Sequence, residues 1–413
     1  MNRRALLRGI GAGLAGVGLA GVGLPGIARA EGPPDDLAEN TITGSAPPPA
    51  AAMPSPPTAD RMPPPEEAAR QLQIPLELAA GLQGACDRIY ARDYPAAKEI
   101  LDRLTARFPQ SGAGPLGHCV LYQALMLENV DFRYERAWRS AQEALQAQLA
   151  AGLSGTAKEE HAALKQFVLA GSLGLAAIHH LRRQEWPSAL SQAVDGVQAL
   201  ERSAALAPAF HDPLLGDGLY LYWRSVVTLQ TRVLPPFPDQ RVQGFELLQR
   251  AEREAVFLGP GATIALVYSC IEERRPDLAL ERCRYFERRY PANVLNLLTT
   301  GRVLSAVGRY EDALAVYGKV KRQVPSNQRV WYQEAVAYTR LIRWTDAERC
   351  LLIYLGFIDL TTESRAQAQF RLGQVYEKVG RWDDARRWYN EAIRLCGHAA
   401  SVKALRRLDR EGL

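Results

Sequence analysis

The sequence has few of the residues from which metal sites and nucleophilic sites are built. Its 413 residues include only six cysteines and six histidines, and their spacings match no metal-binding motif. His179 and His180 are adjacent, so on a helix they point about 100° apart and are poor ligands for a single ion. His161 follows two glutamates but lacks the second histidine of a zinc-protease helix, and no nucleophile elbow occurs. We therefore predict no metal, no cofactor and no enzymatic activity.

A phosphate-binding loop is also missing. A Gly-x-Gly at Gly216 and Gly218 is not followed by the lysine of a nucleotide-binding loop and does not follow a strand pattern. We interpret these glycines as helix-packing positions.

The chain also lacks a strong charge of one sign. Its net charge is +5, but Arg3, Arg4, Arg8 and Arg29 lie in the first 30 residues, which contain no acidic residue. The remainder is nearly neutral, which gives no electrostatic basis for binding nucleic acid or an anionic membrane.

The first 30 residues have the pattern of an export signal. The basic start is followed by an apolar, glycine-rich run over residues 9–27 and by the small-residue positions Ala28 and Ala30 of a cleavage site. The pair Arg3-Arg4, followed by two leucines, resembles the twin-arginine signal and implies export to a bacterial periplasm. An ordinary secretory signal and an uncleaved membrane anchor are the alternatives. After cleavage we expect no membrane span.

Residues 31–66 are dominated by proline and alanine. Such a segment cannot bury a core, so we predict an extended, disordered tether. It would serve as a plain spacer or, alternatively, as a proline-rich ligand.

Beyond the tether a helical pattern repeats. In its clearest copy, Gly301 and Leu304 precede a turn at Gly308, an aromatic residue opens a second helix, and Ala313 and Tyr317 follow at fixed spacing. The pattern returns twice, so that Ala313, Ala347 and Ala385 are 34 and 38 residues apart. The pattern resembles the tetratricopeptide repeat (TPR) family, whose unit has 34 residues.

The resemblance implies an all-α fold, a right-handed TPR superhelix of about eight helix pairs with a C-terminal capping helix. We divide the chain into divergent TPR-like pairs over residues 67–259, TPR repeats over 260–396 and a cap over 397–413. Within the divergent part, the Gly-x-Gly-x-Tyr-x-Tyr helix and the later Arg241-x-x-Gly244 resemble TPR proteins of the inclusion-body-clearance type. That similarity implies helix pairs and little about activity.

The family register also implies a groove lined by the first helices of successive pairs, able to hold a protein or peptide segment. It combines aromatic side chains with nearby cations, as binding hot spots do. The alternative is that some of these side chains only pack against neighbouring repeats. The predicted partner-binding residues are Tyr268, Leu298, Arg302, Tyr332, Val336, Arg340, Phe370, Gln374 and Lys378.

Export would permit disulfides. Cys270 and Cys283 fall on the two facing helices of one repeat and are the best candidate pair. The alternative is that the cysteines are small buried hydrophobic residues between helices.

These features favour an exported periplasmic scaffold that binds protein segments, within an assembly of the cell envelope. An alternative is an accessory subunit exported together with a folded partner enzyme. A hypothesis of a different class is an enzyme with its site in the divergent region 211–241, formed by His211, Asp212 and Asp217.

Overall fold

The structure is a computed structural model that describes residues 62–129, 131–153, 161–183, 185–230 and 238–413. The predicted export signal, with Arg3, Arg4, Ala28 and Ala30, and most of the predicted tether lie outside these residues. Over the described ranges the chain contains helices and no strand. The all-α prediction is confirmed.

Eighteen helices are described in chain order. The first nine are α1 (Pro65–Leu72), α2 (Leu76–Tyr90), α3 (Tyr94–Arg107), α4 (Ala113–Asn129), α5 (Glu135–Leu153), α6 (Ala162–Arg182), α7 (Trp186–Leu206), α8 (Pro213–Gln230) and α9 (Arg241–Glu254). The other nine are α10 (Gly259–Glu272), α11 (Pro276–Arg289), α12 (Val294–Ala306), α13 (Tyr310–Gln323), α14 (Gln328–Arg340), α15 (Trp344–Leu355), α16 (Thr362–Lys378), α17 (Trp382–Cys396) and α18 (Ala399–Glu411).

The helices form eight consecutive pairs, from α2/α3 to α16/α17, with α1 before them and α18 after them. Helices that follow one another pack together, as in α6 with α7 and α16 with α17. This is the α-solenoid that the repeat pattern predicts. The predicted cap is also present, because α18 buries Leu408 against α17 and exposes Arg406 and Arg410.

Proline marks where several of these helices begin. Pro95, Pro187, Pro260 and Pro276 each occupy one of the first two positions of a helix, where the missing N–H group costs no hydrogen bond. Proline also begins α1, at Pro65. The C-terminal boundary of the predicted tether, residue 66, is therefore too late by two residues.

The described residues fall into two compact units. The first unit contains residues 62–127 and 132–296, and the second contains residues 128–131 and 297–413. The sequence-based division at residue 260 follows the regularity of the repeats, which is a different criterion from packing, and it stays a prediction.

In the first unit, the α2/α3 pair is held against the region of α11. The Tyr90 ring packs against Phe286 and Tyr290, with ring centroids 5.9 and 5.5 Å apart. Asp87 accepts hydrogen bonds from the Tyr290 hydroxyl at 2.7 Å and from Arg289 at 3.0 Å. The partners are about 200 residues apart in the chain, and the sequence offers no signal for this contact.

The glycines of the divergent region lie where two helices cross. A Cβ atom on Gly218 of α8 would come within 2.8 Å of the Gly244 carbonyl oxygen of α9, and a Cβ on Gly244 would meet the Tyr222 nitrogen at 2.6 Å. Only glycine permits this approach. The interpretation of Gly218 as a helix-packing residue is confirmed.

One described helix, α6, is long and apolar enough to cross a membrane by length and composition. Of its most apolar stretch, 61% is buried within the protein. Core helices of soluble proteins pass the same test, so this is weak evidence for a membrane span.

Candidate functional site

The second unit contains three similar helix pairs, α12/α13, α14/α15 and α16/α17. In two of them a glycine faces a buried tyrosine: a Cβ on Gly301 would lie 2.2 Å from Tyr317 Cε1, and a Cβ on Gly373 would lie 2.5 Å from Tyr389 Cε1. The pair between them has Ala335 at the glycine position and a leucine at the tyrosine position. Glycine therefore occurs where a tyrosine ring fills the space between the two helices, and alanine occurs where the smaller leucine side chain does.

An arginine opens the second helix of each pair and holds the turn. Arg309, Arg343 and Arg381 each donate from Nε to the aspartate three residues later, at 2.7, 2.9 and 2.7 Å. The Arg343 and Arg381 guanidiniums also lie over tyrosine rings, 4.6 and 4.3 Å from the centroids. These three arginines are thus packing elements of the repeat.

These helix pairs hold eight of the nine predicted partner-binding residues on their first helices, α12, α14 and α16. Tyr268 is on α10 in the first unit and is half-buried. Two of the eight need correction. Leu298 is 4% exposed and Val336 is 6% exposed, because these aliphatic side chains pack between helices. They contribute to the core and offer no binding surface.

The two aromatic positions are half-buried and packed on one side. The Tyr332 ring lies 5.2 Å from the ring of Tyr354. The Phe370 ring lies 5.6 Å from Tyr389 and 5.2 Å from His398 at the start of the cap. Each ring is fixed by these contacts while part of it remains accessible, so little conformational entropy would be lost on binding.

The polar positions lie on the same side of these helices. Arg302 and Gln374 are half-buried, and Arg340 and Lys378 are exposed. Residues three or four apart share a helix face, so the repeat register places these groups beside the aromatic rings. We define the first-helix face as the six residues Arg302, Tyr332, Arg340, Phe370, Gln374 and Lys378.

The candidate disulfide is not formed in the structure. Cys270 and Cys283 are both buried free thiols, and burial raises the pKa of the Cys270 thiol to about 11. A thiol with such a pKa is unreactive near neutral pH. This corresponds to the alternative, cysteines as small buried residues.

The three residues of the hypothetical enzyme site have separate surroundings. His211 Nδ1 lies 3.3 Å from Glu254. Asp217 is half-buried, and burial raises its pKa to about 6. Asp212 is fully buried and accepts the backbone N–H groups of residues 256, 257 and 258, each at 2.8 Å.

Asp212 therefore holds the backbone of residues 256–258, the segment that precedes α10. Burial raises its pKa to about 6, although the three hydrogen bonds act in the opposite direction. Among the described residues no three His, Cys, Asp or Glu side chains gather as a metal site requires.

The sequence analysis did not identify one residue of the second unit that has an unusual backbone conformation. Ile342 has φ = 60° and is 70% exposed, in the turn where the neighbouring repeats have Gly308 and Gly380 at φ = 79° and 75°. A β-branched residue rarely adopts this conformation. The repeat register carried the signal, because isoleucine stands where the other two pairs of the second unit have glycine.

Comparison with known proteins agrees with the helix pairs. Models of the tetratricopeptide repeat match the chain at residues 298–357 and 366–399. These two stretches of the second unit are thus tetratricopeptide repeats. No curated protein matches its sequence. Among solved structures, the human IFIT1 dimer with PPP-AAAA is similar with a TM-score of 0.45 at 13% identity, covering 86% of this chain and 88% of that chain. A likeness at this level says nothing about function.

Proposed function

We propose that this protein is an exported periplasmic scaffold that binds segments of partner proteins on its first-helix face. TPR proteins commonly present such faces to protein partners. The observation that carries the proposal is the combination, on the two consecutive first helices α14 and α16, of fixed and partly accessible rings at Tyr332 and Phe370 with exposed side chains at Arg340 and Lys378. This is the composition of binding hot spots.

Site-specific crosslinking in cells tests the binding role. A photoreactive amino acid would replace Arg340 or Gln374 on the first-helix face and, as the matched control, exposed Asn390 on the second helix α17. We expect a discrete adduct at residues 340 and 374 and none at residue 390. Equal labelling at all three positions, or adducts at residue 390 alone, would contradict the proposed face.

The export part of the proposal is supported by the Arg3-Arg4 pair and the apolar run that follows. Replacing both arginines by lysine should leave the protein in the cytoplasmic fraction, because the twin-arginine route requires the pair. A variant that still reaches the periplasm would show a secretory route that does not depend on the pair. Retention of the normal protein in the cytoplasm would refute export altogether.

The same arginine pair favours one alternative, an accessory subunit exported with a folded partner enzyme. In that case the crosslinked partner would have no signal of its own. It would also remain in the cytoplasm together with the lysine variant. A partner that reaches the periplasm independently would exclude this alternative.

A further inference from the structure

We propose that a pocket of the first unit, beside Met62, is a binding site for a proline-rich segment, and that its occupant is the chain's own residues 54–61. The pocket belongs to the first unit, whereas the first-helix face belongs to the second. The site is therefore additional to the proposed scaffold function and does not depend on it.

The pocket lies between the end of α9, the start of α10 and the last turns of α11. Its volume is about 210 Å³, roughly that of seven water molecules, so it admits one or two side chains and no helix. Much of its wall is proline and aromatic: Pro260 in the first turn of α10, and Tyr285, Phe286 and Tyr290 at the end of α11. Sites that recognise proline-rich segments are lined by aromatic rings in this way.

The rings of this wall are fixed by contacts within the protein. Phe286 and Tyr290 are buried, with ring centroids 5.0 Å apart, and the Tyr290 hydroxyl donates to Asp87 at 2.7 Å. The Tyr285 ring is half-buried beneath Arg288, whose guanidinium lies 5.4 Å from the ring centroid. Binding would order few further side chains, which keeps its entropic cost low.

The described chain begins at this pocket. Met62 forms part of the wall, and the Pro63 carbonyl oxygen accepts a hydrogen bond from the side-chain amide of Gln83 at 2.7 Å. The same amide nitrogen donates to the Val256 carbonyl oxygen at 3.1 Å, in the segment that precedes α10. The chain is thus fastened beside the pocket at residues 62 and 63.

The residues that come before Met62 match the lining of the pocket. Residues 54–61 read Pro-Ser-Pro-Pro-Thr-Ala-Asp-Arg. Pro57 is five residues from Met62, at most about 18 Å along an extended chain, so Pro56 and Pro57 can reach the pocket. Proline-rich sequences favour an extended left-handed helix that loses little entropy on binding.

The covalent link decides which proline-rich segment occupies the pocket. A segment attached this close to its site has an effective concentration on the order of 1 mM. A segment that binds with a Kd of about 100 µM when separate would therefore occupy the pocket roughly nine-tenths of the time when attached. A partner's segment at micromolar concentration would compete poorly, so the chain closes its own pocket.

Binding of the same segment as a separate peptide tests the proposal. A fluorescent peptide of residues 52–61 would be titrated, by fluorescence anisotropy, against the purified protein and against a variant in which a glycine–serine sequence of equal length replaces residues 54–61. The variant keeps Met62 and Pro63, and circular dichroism verifies that its melting temperature is unchanged. We expect it to bind the peptide roughly fivefold or more tightly than the natural protein does, because its pocket is open.

Two tyrosine variants, made in the glycine–serine protein, locate the binding. Tyr285→Ala removes a ring of the wall and should weaken binding roughly fivefold or more. The matched control is Tyr220→Ala on α8, since Tyr220 is also half-buried beneath an arginine, 4.8 Å from the guanidinium of Arg224, but is not among the residues that line the pocket. It should change binding less than twofold.

The possible failures separate the two parts of the proposal. Equal binding by the natural protein and the glycine–serine variant would overturn occupancy by the chain's own segment. Absence of binding to either protein, equal losses in both tyrosine variants, or equal binding of a peptide whose three prolines are replaced by glycine would overturn the site itself.

Discussion

The close approach of Gly301 to Tyr317 gives a sharp test of how the repeats are packed. In Gly301→Ala the new Cβ would lie 2.2 Å from Tyr317 Cε1 and 2.7 Å from Cζ. Tyr317 is fully buried, so its ring has no free space to move into. The neighbouring pair, with Ala335 and Leu351, shows that alanine is accepted where a shorter side chain faces it.

The expected magnitude follows from two opposing effects. Alanine is favoured over glycine inside a helix by about 1 kcal/mol. Overpacking against a buried ring costs about 1–3 kcal/mol, and occasionally more. Because the contact is well inside van der Waals distance, we expect a net loss of roughly 2 kcal/mol in the free energy of unfolding. Tyr317→Leu alone should cost about 2 kcal/mol through the cavity that it leaves.

The double variant decides the question. Gly301→Ala with Tyr317→Leu recreates the neighbouring Ala–Leu pair, so its loss of stability should be smaller than the sum of the single losses by about 1–2 kcal/mol. Urea unfolding of the purified protein, followed by circular dichroism, measures the stability of all three variants. Losses that add within about 0.3 kcal/mol would refute the reasoning. The control is Gly318→Ala, whose Cβ would meet only the flexible end of a side chain at 3.6 Å, and it should stabilise by up to about 1 kcal/mol.

Three further predictions concern single residues. Ile342→Gly should raise the free energy of unfolding by about 1 kcal/mol, since it removes strain at φ = 60° and little buried area; a lower melting temperature would contradict this. His179 is buried and its pKa is lowered by that burial to about 4 from the usual 6.5, so the unfolded chain takes up the proton first and stability falls as pH drops from 6.5 towards 4. Between pH 7.5 and 5 the loss from this residue is about 2 kcal/mol, and His179→Gln should show a pH dependence smaller by that amount. The raised pKa of Asp212 acts in the opposite direction in both proteins and cancels in the comparison. Asp212→Ala should destabilise by about 2–4 kcal/mol because three buried N–H groups lose their acceptor; a loss below about 0.5 kcal/mol would show that water replaces the carboxylate.

Most of the fold could be predicted from local features. The spacing of Gly301, Ala335 and Gly373 with their partners one helix later identified the last three pairs. These are contacts between residues less than about 20 positions apart, which a repeat pattern displays directly.

The candidate site was predictable only in part. The register placed Arg340 and Lys378 at the ends of their helices, where they are exposed. It could not show that Leu298 and Val336 are buried, because equivalent positions of a repeat have different neighbours in space. The pairing of Glu334 with Lys321 and of Glu377 with Arg407 likewise needs the folded chain.

The sequence by itself determined that this chain contains a series of helix pairs, since the last three pairs are specified by small and aromatic residues at fixed spacing within one repeat. Only the tertiary structure decided how Asp212 is used and that Asp87 and Tyr90 of α2 meet Tyr290 some 200 residues later. The physical reason is the distance along the chain between the residues that interact. Helix propensity and neighbour packing are written locally in the chain, whereas the burial of one carboxylate or ring depends on distant segments that a single sequence does not place.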